Sequence, residues 1–545
     1  MNNKKMFYNV LMTLLASCGF LSCSTDKAGT MPDQEPTVKV SQIPNGNFEQ
    51  QLQSWQVRGE GVSIGNDGCD GSMSLVLNGA KGSTIGLSQT VSGLADGYYD
   101  VEFYGKSNGG NQIAYVEAGG KQSAIETSAT TWKRHFIRGI QVSGGKLDIK
   151  IEQHNTASDK ALDEVDGLRL ISRNGAQTFI KGGDVSELTY VEDNGGKYYD
   201  AAGNAGDCLD ILQQNGINLV RLRLYNNPGN NACYPSKLLP KGYQDENDIL
   251  RLAKRAKEKG MQIELTFHYS DFWTNGSTQV KPNAWKDIKD LQVLSDSVYQ
   301  YTKHFLEHMN AQGTAPEYVS IGNEIQAGIL YDYKYYSHTE EEASVIDSTS
   351  TAMGHCLHLP WLAQLLNAGA KAVREADPEG KVILHLNGAG DKDVYNWFFD
   401  AMRNNQVDYD IIGASYYPFW VHKTTKQVCD WAEYVTDRYD KDLLFMETGY
   451  AWNPTIPDGT NGQLSNNDPY KDMTKEGQKN FMLELSNAIK NVSNQRVLGY
   501  IYWDPIFINT PGIGWILGDK NYVSNTTLFG FDGKVNPVMD AIKHN

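Results

Sequence analysis

The chain has 545 residues and a mass of 60.6 kDa, which is too long for one ordinary domain. Its 49 basic and 65 acidic residues give a net charge of −16, which argues against nucleic acid as a partner because phosphates would be repelled. Acidic polysaccharides are disfavoured for the same reason, whereas 30 Tyr and 11 Trp supply rings that stack on neutral sugar faces. Composition therefore favours two globular domains and an uncharged ligand.

The N-terminus has the pattern of a secretion signal. Two lysines precede an apolar run over residues 6–16, which is shorter than the ~20 residues that span a bilayer. The cysteines that close this region resemble bacterial lipoprotein attachment sites, where an acylated cysteine tethers the protein to a membrane. We expect a signal over residues 1–22, a polar tether over residues 23–40, and lipid attachment at Cys23 or Cys18. The expected location is the outer membrane of a bacterium, on the cell surface.

Residues 41–174 read as an all-β domain. Apolar and polar residues alternate over 98–104, 131–137 and 147–151, and glycine-rich turns separate these segments. Short alternating strands without a helical stretch are typical of a β-sandwich. The opening Asn45-Gly46-Asn47-Phe48-Glu49 loosely resembles jelly-roll carbohydrate-binding modules. A glycan-binding module and a plain spacer both remain open for this domain.

Residues 175–545 predict a (β/α)₈ barrel, because eight β-rich segments alternate with helical ones. The strands are predicted at 179–184, 219–224, 262–267, 318–321, 381–385, 411–414, 443–446 and 497–503. The helices between them are predicted at 248–259, 293–309, 361–375 and 476–489. A doubly wound sheet is disfavoured because the first strand is not followed by a glycine-rich phosphate turn.

Chemistry in such a barrel gathers at the C-terminal ends of the strands. Glu324 and Glu447 occupy these ends on the fourth and seventh strands, which face each other across the barrel mouth. Two carboxylates so placed can flank a glycosidic bond, one donating a proton and the other attacking the anomeric carbon or activating water. Further polar and aromatic residues lie at strand ends: Asp184, Arg223, Asn226, His268, Asn323, His385, Tyr416 and Trp503.

Several motifs carry a resemblance to a known family. Gly322-Asn323-Glu324 and Met446-Glu447-Thr448 resemble the clan of retaining (β/α)₈ glycosidases. Closer similarity to glycoside hydrolase family 53 is carried by Gly183-Asp184-Val185-Ser186, Val220-Arg221-Leu222-Arg223-Leu224, Phe267-His268-Tyr269-Ser270-Asp271, Leu365-Leu366-Asn367-Ala368-Gly369 and Ser415-Tyr416-Tyr417-Pro418-Phe419-Trp420. The resemblance spans Phe179 to the C-terminus. It implies an endo-β-1,4-galactanase that cuts the galactan side chains of type I arabinogalactan in pectin and binds the resulting galacto-oligosaccharides.

The resemblance also implies roles for individual residues. Glu324 would be the general acid/base and Glu447 the nucleophile, with Asn323 hydrogen-bonded to the sugar 2-hydroxyl. Arg223 would hold the nucleophile ionised, and Tyr416 would donate a hydrogen bond to it.

Supporting roles are implied for the remaining residues at the cleft. His268 would orient polar groups near the acid, Trp503 would form the floor under the sugar, and Trp285 and Trp420 would line neighbouring subsites. Asp184, Asn226 and His385 complete the supporting set.

No cofactor is expected for the chemistry, and a monomer is expected. Bacterial relatives often hold calcium in the loop after strand seven, where this chain offers Asp458 and Asn461 as oxygen ligands. An ordinary Asp-Gly turn is the competing interpretation of that loop. Three positions depart from the family pattern near the cleft: Tyr225, Thr266 and Asp504.

Two alternatives to the galactanase remain. One keeps the mechanism and changes the sugar, giving a mannanase, an endoglucanase or a β-galactosidase of the same clan. The other is a surface glycan-binding lipoprotein whose barrel has lost its activity. This second alternative predicts the loss of a catalytic carboxylate, yet Glu324 and Glu447 are both present.

Overall fold

The computed structural model describes residues 40–110, 112–125, 127, 129–156, 161–173, 179–230, 238–332, 353–492 and 494–544. The predicted signal, nearly all of the tether, and both candidate lipid-attachment cysteines therefore lie outside the described residues. So does the predicted domain boundary between residues 174 and 175. Contacts join the residues from Val40 onward into one unit.

The first part of this unit is a sandwich of two antiparallel sheets, as predicted. Its strands are β1 (Val40–Gln42), β2 (Gln56–Arg58), β3 (Val62–Gly65), β4 (Ser74–Leu77), β5 (Thr84–Ser92), β6 (Gly97–Ser107), β7 (Gln112–Ala118), β8 (Lys121–Ala124), β9 (Lys133–Val142), β10 (Lys146–Asn155) and β11 (Asp163–Arg173). One sheet has the order β3-β4-β11-β6-β9 with β1 also paired to β11, and the other has the order β2-β5-β10-β7-β8. Alternate residues of both sheets, among them Leu75, Val101, Ile149 and Ile151, are fully buried between them.

The second part is a closed barrel of eight parallel strands, which confirms the predicted fold class. Its elements are β12 (Ile180–Asp184), the short hairpin β13 (Tyr198–Tyr199) and β14 (Ala205–Gly206), then β15 (Leu219–Leu224), β16 (Gln262–Phe267), β17 (Tyr318–Ile321), β18 (Lys381–Leu386), β19 (Ile411–Tyr416), β20 (Asp442–Thr448) and β21 (Val497–Tyr502). The hairpin forms a separate small sheet, and β12 closes the barrel by pairing with both β15 and β21.

Helices surround the barrel. They are α1 (Leu188–Asp193), α2 (Cys208–Gln214), α3 (Glu246–Glu258), α4 (Leu291–Ala311), α5 (Leu359–Ala376), α6 (Lys392–Asn404), α7 (Pro418–Val421), α8 (Thr425–Tyr439), α9 (Lys475–Lys490) and α10 (Val538–His544). The local sequence explains their bounds: Asp245, for example, caps α3 by accepting a hydrogen bond from the Asp248 backbone N–H. Ile249, Leu252 and Ala256 then recur at helical spacing and bury one face of α3. None of the helices among the described residues is long and apolar enough to cross a membrane.

The sandwich contacts the barrel at the N-terminal ends of the barrel strands. Arg138 on β9 donates to Asp442, the first residue of β20, at 3.0 Å, and Arg134 pairs with Asp440 just before it. The Arg496 guanidinium, which precedes β21, lies 5.2 Å from the centre of the Phe136 ring. Glu447 lies near the other end of β20. The sandwich is therefore anchored at the barrel end opposite the predicted site.

Candidate active site

Glu324 and Glu447 meet at the C-terminal mouth of the barrel. Glu324 follows β17, and Glu447 is the penultimate residue of β20. One carboxylate oxygen of each, together with a ring nitrogen of His385, lie within 4.8 Å of one another. Glu447 is 8 % exposed, and Glu324 is half-buried. The two carboxylates are thus close enough to act on a single bond.

Both oxygens of Glu447 receive hydrogen bonds. Arg221 donates to Oε1 at 2.7 Å, and the Tyr417 hydroxyl donates to Oε2 at 2.9 Å. Both groups favour the ionised carboxylate, Arg221 through a charge-assisted bond. Burial, followed by the negative charge of Glu447, raises the pKa of Tyr417. Hydrogen bonds to both oxygens thus fix the orientation of the Glu447 carboxylate.

Glu324 has a different environment. Its Oε1 accepts from the Ser415 hydroxyl at 2.7 Å, and its Oε2 accepts from the Gly276 backbone N–H at 3.3 Å and from Asn387 at 3.5 Å. No guanidinium is among these donors. Burial, followed by the negative charge of Glu447, raises the pKa of Glu324 to about 7. A carboxyl group with a raised pKa thus lies beside another that is bonded to a guanidinium, and an acid beside a nucleophile requires two such different environments.

A chain of side chains connects the two carboxylates. Ser415, bonded to Glu324, also lies 2.8 Å from His385 Nε2, and His385 Nδ1 lies 3.0 Å from Asn323 Oδ1. The same Asn323 oxygen accepts from Arg221 at 2.6 Å, which completes the connection to Glu447.

The donors and acceptors of this chain define the state of His385. An amide oxygen only accepts, so His385 Nδ1 must carry the hydrogen that it shares with Asn323. Burial and the nearby Arg221 charge lower the pKa of His385 well below its ordinary value, so the ring is neutral. Its Nε2 is therefore an acceptor 2.8 Å from the Ser415 oxygen, and the single Ser415 hydrogen is donated either to this nitrogen or to Glu324. His385 is thus an orienting residue between Asn323 and Ser415.

A buried acid lies behind the nucleophile. Glu264 on β16 is fully buried, accepts from the Thr266 hydroxyl and lies 3.4 Å from Arg221 Nε. Burial raises its pKa to about 8 despite the neighbouring guanidinium. Thr266, one of the positions that depart from the family pattern, also accepts from Arg221 at 3.1 Å. Arg221 is thus held from three sides, by Glu264, Thr266 and Asn323.

The prediction that Arg223 holds the nucleophile is wrong in its geometry. Arg223 bonds Ser186, Glu187 and Asp184 instead, and Asp184 Oδ2 lies 3.0 Å from its Nε. Its guanidinium stacks over the Trp273 ring at 4.6 Å. Arg221 and Arg223 point to the same side of β15, but only Arg221 is bonded to Glu447. Asp184 therefore supports Arg223 and does not touch the two glutamates through the contacts described.

The predicted role of Tyr416 belongs to its neighbour Tyr417. The Tyr416 hydroxyl donates to the Lys423 backbone carbonyl at 2.9 Å, and its ring packs against Phe445 and Phe481 in the core. Tyr416 is a packing residue, whereas the hydroxyl of Tyr417 points at the carboxylate.

His268 and Asn226 are not bonded to either carboxylate in the contacts described. Nδ1 of His268 accepts from the Thr274 backbone N–H at 3.3 Å and contacts its hydroxyl at 2.6 Å, so Nε2 carries the hydrogen. That buried Nε2 has no hydrogen-bond partner among the described residues. Asn226 is half-buried, and its backbone N–H donates to the Ser270 carbonyl at 2.8 Å. His268 thus orients Thr274, whose carbonyl accepts from Asn323 at 2.8 Å.

Aromatic rings surround the carboxylates on one side. Trp503 packs edge-on to Tyr417 at 6.3 Å, and it also contacts Trp273 at 6.4 Å and Trp515 at 4.9 Å between ring centres. Trp420 lies in the same apolar cluster as Trp503 and Tyr417. This cluster is a hydrophobic surface of the kind on which sugar rings stack.

Trp285 belongs to the hydrophobic core, which favours a packing role over a role in lining a subsite. Trp285 is 9 % exposed and packs against Tyr269 and Tyr301 within the barrel core. Its position is accounted for by packing between the barrel and α4.

The loop proposed to bind calcium does not fit that ion as it is arranged. Asp458 Oδ1 accepts from the Thr460 backbone and hydroxyl, and Oδ2 pairs with the Lys520 ammonium. Asn461 bridges to Thr455 through the backbone. A lysine ammonium thus occupies the position where a cation would need the carboxylate, and no step of the mechanism uses this loop.

The fold and the site together define a (β/α)₈ enzyme with a pair of carboxylates at the barrel mouth. The chain belongs to glycosyl hydrolase family 53, whose sequence profile matches residues 180–542. It is 30 % identical over 439 residues to an endo-beta-1,4-galactanase of Bacillus subtilis, covering 74 % of this chain and 93 % of that protein. It is 31 % identical to an arabinogalactan endo-beta-1,4-galactanase of Cellvibrio japonicus, covering 61 % and 81 % of the two chains.

A solved structure agrees with these relatives. The family 53 catalytic domain of Ignisphaera aggregans superposes with a TM-score of 0.60 at 33 % identity, covering 67 % of this chain and 95 % of that one. The matched family region begins after the sandwich, so the sandwich is additional to the family's catalytic domain.

Sequence reasoning assigned no role to several residues that the structure brings to the site: Arg221, Glu264, Gly276, Gln326, Asn387, Ser415, Tyr417 and Trp515. Tyr417 is next to Tyr416 in a recognised motif, and Arg221 stands two residues before Arg223 in another. Asn387 follows β18 by one residue, so the rule that strand ends carry the chemistry would have found it.

Proposed function

We propose that this protein is a retaining endo-β-1,4-galactanase in which Glu324 is the acid/base and Glu447 the nucleophile. The observation that carries the proposal is a pair of carboxylates with oxygens within 4.8 Å of each other. Their environments differ, because Glu447 is bonded to the Arg221 guanidinium whereas burial and the charge of Glu447 raise the pKa of Glu324. Retaining glycosidases place these groups about 5–5.5 Å apart, whereas inverting enzymes leave about 6.5–9.5 Å for a water molecule. An approach of one oxygen from each carboxylate to within 4.8 Å is compatible with the shorter separation and supports double displacement.

In the first step, the Glu447 carboxylate attacks the anomeric carbon while Glu324 transfers its proton to the departing glycosidic oxygen. Arg221 and Tyr417 aim the attacking carboxylate, since both of its oxygens are hydrogen-bonded. The products of this step are a glycosyl ester on Glu447 and the released end of the chain with a free hydroxyl.

In the second step, ester formation has removed the negative charge of Glu447. That charge is one of the causes that raise the pKa of Glu324, so Glu324 ionises more readily in the intermediate. It then takes a proton from water as the water attacks the anomeric carbon, and Glu447 leaves as a carboxylate. Two inversions give net retention.

The choice of β-1,4-galactan rests on the relatives, which are named galactanases and match over most of their length. The aromatic cluster around Trp503 suits an uncharged sugar polymer, and the net charge of −16 disfavours an acidic one. The binding-protein alternative is disfavoured because both carboxylates and their supports are present. A mannanase or an endoglucanase with the same carboxylate pair is the competing enzyme.

A digest of linear β-1,4-galactan by the purified chain tests the proposal, with Glu447→Gln as the control. We expect galacto-oligosaccharides from the wild type and almost none from a variant that still folds. A proton NMR time course should show the β-product first, and α-product first would rule out retention. Hydrolysis of mannan or β-glucan in place of galactan would reassign the substrate while leaving the mechanism intact.

We further propose export and lipid anchoring through Cys23 or Cys18 at the bacterial outer membrane, with the catalytic unit acting as a monomer. The apolar run over residues 6–16 and the cysteines after it support this location. Metabolic labelling with a fatty acid tests it, comparing Cys23→Ala with Cys18→Ala. Label lost from only one variant identifies the attachment site, and an unlabelled wild type would contradict the anchor.

A further inference from the structure

Two histidines and a glutamate converge on the helical layer outside the barrel strands. They belong to α3 and α4 and not to the strand ends that hold Glu324 and Glu447. His304 and His308 lie one turn apart on α4, and their ring centres are 4.1 Å apart. Glu246, the first residue of α3, directs Oε1 to both: Nε2 of His304 is 3.9 Å away, and Nδ1 of His308 is in hydrogen-bond contact. One ligand atom from each residue lies within 4.8 Å of the other two.

These residue types and this spacing suit a transition metal. Side chains at positions i and i+4 of a helix share one face, so two imidazoles can chelate a single ion. Imidazole nitrogen with a carboxylate oxygen suits zinc, copper or nickel, whereas calcium and magnesium prefer sites built from oxygen. Three protein ligands leave a fourth position for water, as in open zinc sites.

We propose that Glu246, His304 and His308 form a surface site for a divalent transition-metal ion such as Zn²⁺. The side chains are accessible to an ion from solvent, with 36 %, 59 % and 46 % of their surfaces exposed. Asp245 precedes Glu246, and the strongly negative chain attracts cations generally. Since Glu246 begins α3 and the two histidines belong to α4, an ion here would join the start of α3 to α4.

The test is titration of the chelator-treated chain, prepared without a polyhistidine tag, with Zn²⁺ by calorimetry. We expect one ion per chain at this site, and binding weakened at least about tenfold in His304→Ala, His308→Ala and Glu246→Gln. His544→Ala, which changes an exposed histidine on α10, is the matched control and should bind as the wild type does. The melting temperature should rise with Zn²⁺ in the wild type and not in the His304→Ala/His308→Ala variant, because the ion binds only the folded site.

A wild type that takes up no more Zn²⁺ than the double variant would overturn the proposal. Equal loss of binding in His544→Ala would also overturn it, since that result indicates scattered surface histidines. Galactan hydrolysis is independent of these outcomes, because none of the three residues contacts Glu324 or Glu447, and each variant should retain it.

Discussion

The guanidinium of Arg221 donates in two directions, to Glu447 at 2.7 Å and to Asn323 at 2.6 Å. A lysine has one ammonium and cannot hold both partners in a plane. We therefore expect Arg221→Lys to lower kcat about 100-fold, the usual effect of removing one preorganised donor. Steady-state kinetics on galactan measures the change.

Arg223→Lys is the matched variant for that prediction. Arg223 is bonded to Asp184, Ser186 and Glu187 behind the aromatic cluster. Its replacement should therefore lower the melting temperature, whereas kcat should fall much less than in Arg221→Lys. A large loss of kcat in Arg223→Lys with nearly normal turnover in Arg221→Lys would contradict the assignment made from the structure.

The protonation of Glu324 sets the alkaline side of the activity profile. Burial and the charge of Glu447 raise its pKa to about 7, and the acid must be protonated in the free enzyme. We expect kcat/KM to fall as the pH rises through that value. Ser415 donates to the ionised carboxylate, so Ser415→Ala should raise the pKa of Glu324 further and move the fall to higher pH.

The measurement is kcat/KM between about pH 5 and pH 9 for the wild type and Ser415→Ala. Ser320→Ala, on β17, is the control. The Ser320 hydroxyl donates to the Gly322 carbonyl and not to a catalytic group. If the alkaline fall of kcat/KM in Ser415→Ala stays at the wild-type pH or moves to lower pH, this hydroxyl does not stabilise the ionised acid.

At the scale of elements, the loop after β16 covers the acid. Gly276 donates its backbone N–H to Glu324, and a Cβ at this position would lie 2.1 Å from Gln326 Nε2 and 2.4 Å from Asn387 Nδ2. Gly276→Ala should therefore lift the loop and displace both amides, lowering kcat about tenfold or more while the barrel stays folded. Ser277→Ala, an exposed change in the same loop, should leave kcat unchanged.

Kinetics and circular dichroism of the two loop variants check this prediction. Normal turnover in Gly276→Ala would mean that Gln326 and Asn387 can move aside without affecting Glu324. Loss of the folded signal would place the glycine in the structural framework instead.

The sequence predicted the elements better than the contacts between them. The strands β15, β16 and β17 have the bounds expected from their apolar runs, because both faces of a barrel strand are buried. The alternation along β19 continues past its end: Ser415 and Tyr417 face the two glutamates, whereas Tyr416 between them packs against Phe445 and Phe481 on the other face. The pattern therefore favoured Tyr417, although the strand itself ends at Tyr416.

The two arginines of β15 present a different difficulty. Arg221 and Arg223 are two residues apart, so they share one side of the strand and lie in successive layers of the barrel. Which layer contains Glu447 depends on the stagger of β15 against β20 around a closed barrel. That stagger is a property of the whole barrel and is not encoded in the spacing of a single strand.

At the scale of the whole molecule, the junction between sandwich and barrel could not be predicted from the sequence. The charged residues that meet there are far apart in the chain. Arg138 and Arg134 on β9 meet Asp442 and Asp440 at the barrel end remote from Glu447. Arg496 pairs with both aspartates from the barrel side and stacks on Phe136 of the sandwich. We expect contacts of this kind to make the two domains unfold together.

Neutralising the two aspartates tests this coupling. In Asp440→Asn/Asp442→Asn the shape is kept and the left-handed backbone of residue 440 is tolerated, but the charge-assisted bonds are lost. The Asp440 side chain is 66 % exposed, so its pairs contribute only about 0–1 kcal/mol each, whereas the more buried bonds of Asp442 contribute about 1.5–3 kcal/mol each. Scanning calorimetry should therefore show separate unfolding of sandwich and barrel, or a lower melting temperature. The kcat on galactan should stay near the wild-type value, because the junction lies at the opposite ends of the strands.

Asp408→Asn/Asp410→Asn, which breaks the pairs to Arg374 within the barrel, is the control and should leave the domains coupled. Identical calorimetric profiles for the two double variants would show that the charges at the junction do not join the domains.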